Sequence, residues 1–197
     1  LLMKNIRALG GTVSYYIPNR FTEGYGINGA ALRQIAAEGC GLLVTVDCGI
    51  SSVDVVAEMD TEMDIIITDH HLPGSVLPPA YAVINPHRTD CFYPFKELAG
   101  VGVAFKLVQA LWQEEEQRHY ADDMDIAALG TVADLVPLVG ENRKIVQLGL
   151  TAMSAHPCEG IEALIRAAGL EGKAINTGMV GFQLAPRLNA AGRIETA

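Results

Sequence analysis

Two short apolar runs constrain this chain more than anything else in it: Leu42-Leu43-Val44-Thr45-Val46 and Asp64-Ile65-Ile66-Ile67-Thr68. Both are rich in β-branched residues, and neither alternates with polar ones. Such runs belong to strands covered on both faces. Each gives way at once to polar residues, Asp47-Cys48-Gly49 and Asp69-His70-His71. Between them, Ser51-Ser52 supplies caps for a helix read through Met59. Upstream, Ala30–Glu38 has helical periodicity and stops at Gly39, a C-cap residue. Thr12–Ile17 reads as an earlier strand ended by Pro18, and Ala80–Ile84 as a later one. A β-α-β-α-β series with short connections implies an α/β fold, a parallel sheet flanked by helices. After it the chain turns helical, near Val101–Glu116, Asp122–Val132, Asn142–Ala155, Gly160–Ala168 and Thr177–Leu184. Leu1–Leu9 also reads as a helix.

The chain has 197 residues, half of them apolar and 19% charged, which excludes a disordered polypeptide and allows a sizeable core. No apolar run approaches the roughly 18 residues of a membrane span, so no membrane role is expected. Leu1 opens inside a helical pattern and no leader sequence precedes it, so both ends read as cuts in a longer polypeptide. The four cysteines form no CxxC pair, which fits reduced thiols in a cytoplasmic protein rather than a zinc ribbon or disulfide scaffold. Net charge is −9, and residues 51–134 hold most of it, with fifteen acidic and four basic groups. That leaves no bulk basic patch for coating duplex DNA, but it allows an enzyme that grips a phosphate chain through metals and a few arginines.

In open parallel sheets, ligands collect beyond the carboxyl ends of the strands. Asp47 and the Asp69-His70-His71 group therefore fall on one edge. A single Asp after a strand often caps the next helix, but Ser51 and Ser52 already offer that cap. Alternating backbone direction should send His70 and His71 to different sides, one toward a metal and one toward a substrate oxyanion. Imidazole with carboxylate suits manganese, iron or zinc, while magnesium prefers the oxygens. The same histidines could instead satisfy their loop by hydrogen bonding. Asp134, in Gly130-Thr131-Val132-Ala133-Asp134, ends an apolar helix where the dipole disfavours a carboxylate, and a bound cation would explain it. A fraying helix end would explain it too. Gly100-Val101-Gly102 lacks the spacing of a dinucleotide loop and suits a tight approach near the metal site. His87, His119 and His156 have no spaced partner. Trp112 shares a helix face with Leu107, Val108 and Leu111, which suits a core or interface.

The strings VDCGIS, DIIITDHHLPG, INPHRTDCFYPFKELAGVGVAFKLVQAL, ALGTVADLVPLVGENRKIVQLGL and PRLNAAGR, in that order, resemble the DHH phosphoesterase superfamily. Within it they resemble the RecJ-type exonucleases, which degrade single-stranded DNA 5′ to 3′. DHH alone is a weak match; the ordered set is specific and covers nearly the whole chain. The resemblance implies a Rossmann-like phosphoesterase domain, here 1–155 and partial. It implies that 156–197 is a helical segment leading to a nucleic-acid-binding domain absent from this sequence. It also implies two divalent cations, Mn2+ or Mg2+, with Asp47 bridging them and His70 and Asp134 as further ligands. Asp69 would orient a histidine, and His71 would contact the scissile phosphate. Together Asp47, Asp69, His70, His71 and Asp134 are the candidate catalytic set.

The family's first motif, an acidic DxD, has no counterpart in residues 1–46, where Glu23 and Glu38 are the only acids. The expectation is that this stretch alone is inactive although its parent is a nuclease of DNA repair and recombination. For substrate, the resemblance points to Arg20 as a 5′-phosphate anchor, against a loop salt bridge to Glu23. It points also to Asn189 and Arg193, with Arg187 equally suited to helix packing. Tyr25 could stack on a base or pack in its loop. Single-strand binding protein and a helicase are implied partners. Two other readings stay open: a phosphodiesterase of oligoribonucleotides or cyclic dinucleotides, and a metal-free replication scaffold.

Overall fold

In the computed structural model, residues 1–18, 24, 26–113 and 123–194 are described, and they fall into two compact units. One comprises Tyr16–Lys96; the other joins Leu1–Tyr15 to Glu97–Ala197.

The first unit is the sheet. Helix α2 (Gly29–Ala37) is capped by Asn28, whose side chain accepts the Ala31 N–H at 2.7 Å. Gly39 follows it with φ +84°, the left-handed conformation a helix C-terminus wants from glycine. Strands β1 (Leu42–Val46), β2 (Asp64–Thr68) and β3 (Ala82–Ile84) pair in that order, all parallel. The register aligns Val46 with Thr68 and Thr68 with Ile84. The next residue on each strand, Asp47, Asp69 and Asn85, therefore forms a row at the carboxyl edge. The ladder runs one bond into that row: Asp47 N–H reaches Thr68 O and Asp69 N–H reaches Ile84 O, both at 3.0 Å. Ile65 and Ile67 of β2 pack with Leu32, Val56 and Met63, so the central strand is apolar because helices cover it.

Three local expectations change here. Thr12–Ile17 is not a strand; its β-branched and aromatic residues find no ladder among the described residues, and propensity without a partner does not make a sheet. β3 begins at Ala82 rather than Ala80, after a proline pair that cannot donate to a ladder. Helix α3 (Val53–Ala57) takes Ser52 at its N-cap, but the serine side chain makes no capping bond.

The second unit is helical: α1 (Leu2–Ala8), α4 (Gly100–Leu111), α5 (Met124–Ala133), α6 (Gly140–Ala155) and α7 (Glu159–Ala167). A last helix runs from α8 (Thr177–Met179) through a π-helical turn (Val180–Leu184) into α9 (Ala185–Ile194). The expected end at Leu184 is thus corrected. Pro186 lacks an N–H and its ring would press on the carbonyl four residues back. The wide turn just before it lets the helix continue. The core gathers Ala128, Val132, Val146, Met153, Ile161, Ile165, Val180 and Leu184. Ile161 and Ile165, one turn apart, anchor α7, each worth about 1.5–3 kcal/mol of apolar burial. α1 is tied in by polar bonds: buried Asn5 donates to Asp123 at 3.1 Å and accepts the Trp112 indole N–H at 2.9 Å, and Lys4 pairs with Asp123 at 3.0 Å. Trp112 therefore has a hydrogen-bonding role beyond apolar packing. No helix of the described residues is long and apolar enough to cross a membrane.

Candidate metal centre

Asp47 leaves β1 with φ +63°, a left-handed conformation that Asp tolerates better than most residues. Gly49 follows with φ +109°, and a Cβ there would meet Ile27, Thr45 and Ile67 side chains at 3.0–3.3 Å. The Thr45 hydroxyl donates to Cys48 O at 2.8 Å and closes the turn. This turn aims Asp47 along the sheet edge toward the end of β2.

There Asp69, 1% exposed, works as a hub. Its Oδ2 accepts the Ile50 N–H at 2.9 Å. Its Oδ1 accepts the N–H groups of His70 at 2.7 Å and His71 at 3.2 Å, and the His71 ring Nδ1 at 2.7 Å. Burial alone would raise the pKa of Asp69, but these four bonds hold it below the usual carboxylate range. An ionised carboxylate only accepts, so His71 Nδ1 is the donor, and in the neutral ring this leaves the lone pair on Nε2. The neighbouring Cys48 thiol is pushed up to about 11 by burial and by the carboxylates of Asp69 and Asp47, so it stays protonated near neutrality.

His70 Nε2 lies 3.0 Å from Asp47 Oδ1, with the His70 side chain 12% exposed and that of Asp47 48% exposed. The His70 and His71 ring centroids are 4.5 Å apart. One ligand atom from each of Asp47, His70 and His71 lies within 4.8 Å of the other two. The expected divergence of the two histidines is therefore wrong. Both lie past the last residue of β2, where strand alternation no longer applies and the Asp69 hub bends the backbone. The donor set fits a divalent cation: one carboxylate and two imidazoles, half open to solvent, with an ionised carboxylate fixing one ring.

Asp134 belongs to the helical unit. It is the C-cap of α5, exposed, with its N–H on Gly130 O at 3.0 Å. Leu135 beside it has φ +59°. Asp47 and Leu135 are the only non-glycine residues with positive φ among the described residues. Arg20, Glu23 and Tyr25 lie outside the described residues, as do 114–122, which include His119. Asn189 is exposed on α9; Arg193 lies on the same helix, and its side chain is outside the described residues. Arg187 donates to Gln183 O at 2.6 Å. Within Gly100-Val101-Gly102, Val101 presses on Gly130, whose added Cβ would meet it at 2.7 Å.

The DHH family model, for its N-terminal domain, matches residues 1–132. The chain belongs to the DHH family. Among its relatives, the single-stranded-DNA-specific exonuclease RecJ of Bacillus subtilis (strain 168) is 48% identical over 198 residues. That match takes in 100% of this chain and 25% of the relative. A crystal structure of exonuclease RecJ bound to manganese superposes with a TM-score of 0.86 at 37% identity, covering 98% of this chain and 49% of that one. RecJ of Thermus thermophilus in complex with Mn2+ gives a TM-score of 0.81 at 34% identity, over 98% of this chain and 27% of that one. This member of the DHH family thus spans between a quarter and a half of those proteins.

Sequence reading passed over Asn85. It is 3% exposed; its Nδ2 donates to His71 O at 2.8 Å and its Oδ1 accepts the His87 N–H at 2.8 Å. The rule that found Asp47 and Asp69, inspection of the residue after each strand, finds Asn85 when applied to β3.

Proposed function

We propose that this chain carries part of a metal-dependent nuclease centre that hydrolyses phosphodiester bonds of single-stranded DNA from the 5′ end. The observation that carries this is the convergence of Asp47, His70 and His71 on one sheet edge, with Asp69 fixing a ring. Relatives named as single-stranded-DNA-specific exonucleases, and RecJ structures holding manganese, support the substrate and the cation. In this reading Asp47 and His70 would hold a divalent cation, Mn2+ or Mg2+, and Asp47 would serve a second such cation as well. Asp134 supplies a further carboxylate. When bound, two such cations activate a water and neutralise charge on the phosphate.

The chain's own residues supply orientation. Asp69 holds His71 in the tautomer that keeps a lone pair on Nε2, and His71 contacts the scissile phosphate. Arg20 takes the 5′-phosphate through its two-pronged guanidinium. Asn189 and Arg193 line the path of the strand. Residues 1–155 are the partial phosphoesterase domain, and 156–197 lead toward a nucleic-acid-binding domain. The setting is cytoplasmic DNA repair and recombination, with single-strand binding protein and a helicase as partners.

The test is Asp47→Ala in the complete polypeptide, assayed on 5′-labelled single-stranded DNA with Mn2+ and followed by circular dichroism. Cleavage should fall at least a hundredfold with the fold intact. Cleavage at the wild-type rate removes Asp47 from the centre. Activity confined to dinucleotides in the wild type rejects the long-strand substrate.

A further inference from the structure

We propose that Asn85 is a positioning residue for His71: its side-chain amide, buried at the end of β3, holds the His71 carbonyl so that the imidazole stays beside Asp47 and His70. This rests on the metal-centre reading given above. Asp69 holds His71 through a single oxygen, Oδ1, which takes the ring Nδ1 at 2.7 Å and the backbone N–H at 3.2 Å. A residue held at one oxygen can still pivot about it, because His71 lies beyond the last residue pair of the β2–β3 ladder. Its carbonyl is the second fixed point, and the Asn85 Nδ2 donates to it at 2.8 Å.

The amide is itself held. Asn85 Oδ1 accepts the His87 N–H at 2.8 Å, and Asn85 O accepts the Arg88 N–H at 3.3 Å. Arg88 then binds the turn to the sheet: Nη1 donates to Val83 O, while Nε and Nη2 grip Asp90 at 2.9 and 2.6 Å. The Asn85-Pro86-His87-Arg88 turn is thereby fastened to β3, and β3 to β2 by the Asp69 N–H on Ile84 O. An aliphatic side chain could fill the same volume, but it would take the donor away from the His71 carbonyl. Residues that hold a ligand from behind commonly change metal affinity by 10–100-fold when altered.

The experiment uses Asn85→Asp, which keeps size and the acceptor for His87 but removes the donor to His71. Asn142→Asp is the control. Asn142 is just as buried and donates to two carbonyls, Glu97 O and Pro137 O, in the helical unit. Two measurements are made on the complete polypeptide. The first is the ring-nitrogen NMR correlation of His71 without metal. The second is Mn2+ titration by calorimetry. Asn85→Asp should move or broaden the His71 ring signals, leave those of His156 unchanged, and weaken Mn2+ about tenfold or more. Asn142→Asp should lower the unfolding midpoint with Mn2+ affinity within about twofold of wild type. If Asn85→Asp does not fold, Asn85→Ser, whose hydroxyl is too short to reach, is read the same way.

Unmoved His71 signals overturn the proposal, as does unchanged Mn2+ affinity, as does equal weakening by both Asp variants. A wild-type chain that takes up no Mn2+ sinks the metal-centre reading instead. The His71 signals then decide the role of Asn85 alone.

Discussion

Four N–H groups converge on one carboxylate at Asp69, and this decides more of the local structure than any apolar contact at the sheet edge. An amide in its place has one acceptor oxygen and turns an N–H toward donors. Asp69→Asn should therefore cost about 1–3 kcal/mol for each donor left buried and unpaired, read from urea unfolding. It should also weaken Mn2+ by about 10–100-fold, read by calorimetry. The pH dependence has a fixed sign. The folded state holds Asp69 below its ordinary value of 3.8, so its contribution is complete above that pH. It is lost as the pH falls from 3.8 through the lower folded value. Stability measured from neutrality downward should drop in that window for wild type and drop less for Asp69→Asn. A wild-type curve parallel to the variant's would exclude Asp69 as the source.

Helix packing in the second unit depends on glycines that are not interchangeable. α5 and α6 approach so closely that a Cβ on Gly149 would sit 2.2 Å from both the Ala128 Cβ and the Met124 carbonyl. Neither neighbour can rotate away, since one is a methyl on a helix and the other is backbone. Gly149→Ala should destabilise the chain by about 1–3 kcal/mol or more. Gly160, near the start of α7, has nothing within 4 Å of its Cβ position. Gly160→Ala should raise stability by roughly 0.4–1 kcal/mol through the unfolded chain. The two urea midpoints should move in opposite directions; movement in the same direction refutes the packing argument. The π-helical turn follows the same logic of local accommodation. The helix expected to end at Leu184 continues through Pro186, with a widened turn before the proline.

At the scale of the molecule, the two units divide the candidate residues: Asp47, Asp69, His70 and His71 in the sheet, Asp134, Asn189 and Arg193 among the helices. The proposed direction of degradation rests on Arg20. In the complete polypeptide, Arg20→Ala should lower the preference for a 5′-phosphorylated over a 5′-hydroxyl single strand by about tenfold. A charge-assisted hydrogen bond is worth ~1.5–3 kcal/mol. Competition between the two labelled strands checks this, and an unchanged ratio removes Arg20 from the 5′ end.

Sequence alone determined the parallel strands Leu42–Val46 and Asp64–Thr68, because continuous β-branched runs have no other way to bury both faces. It determined also that Asp47 and Asp69 meet at the carboxyl edge, because parallel strands bring equivalent ends together. Only the tertiary structure decided that Thr12–Ile17 forms no strand and that His70 and His71 turn the same way. Only the tertiary structure showed that a buried amide at Asn85 stands behind the histidines. Strand pairing, loop direction and buried hydrogen bonds depend on partners distant in the chain, and a local pattern carries no record of them.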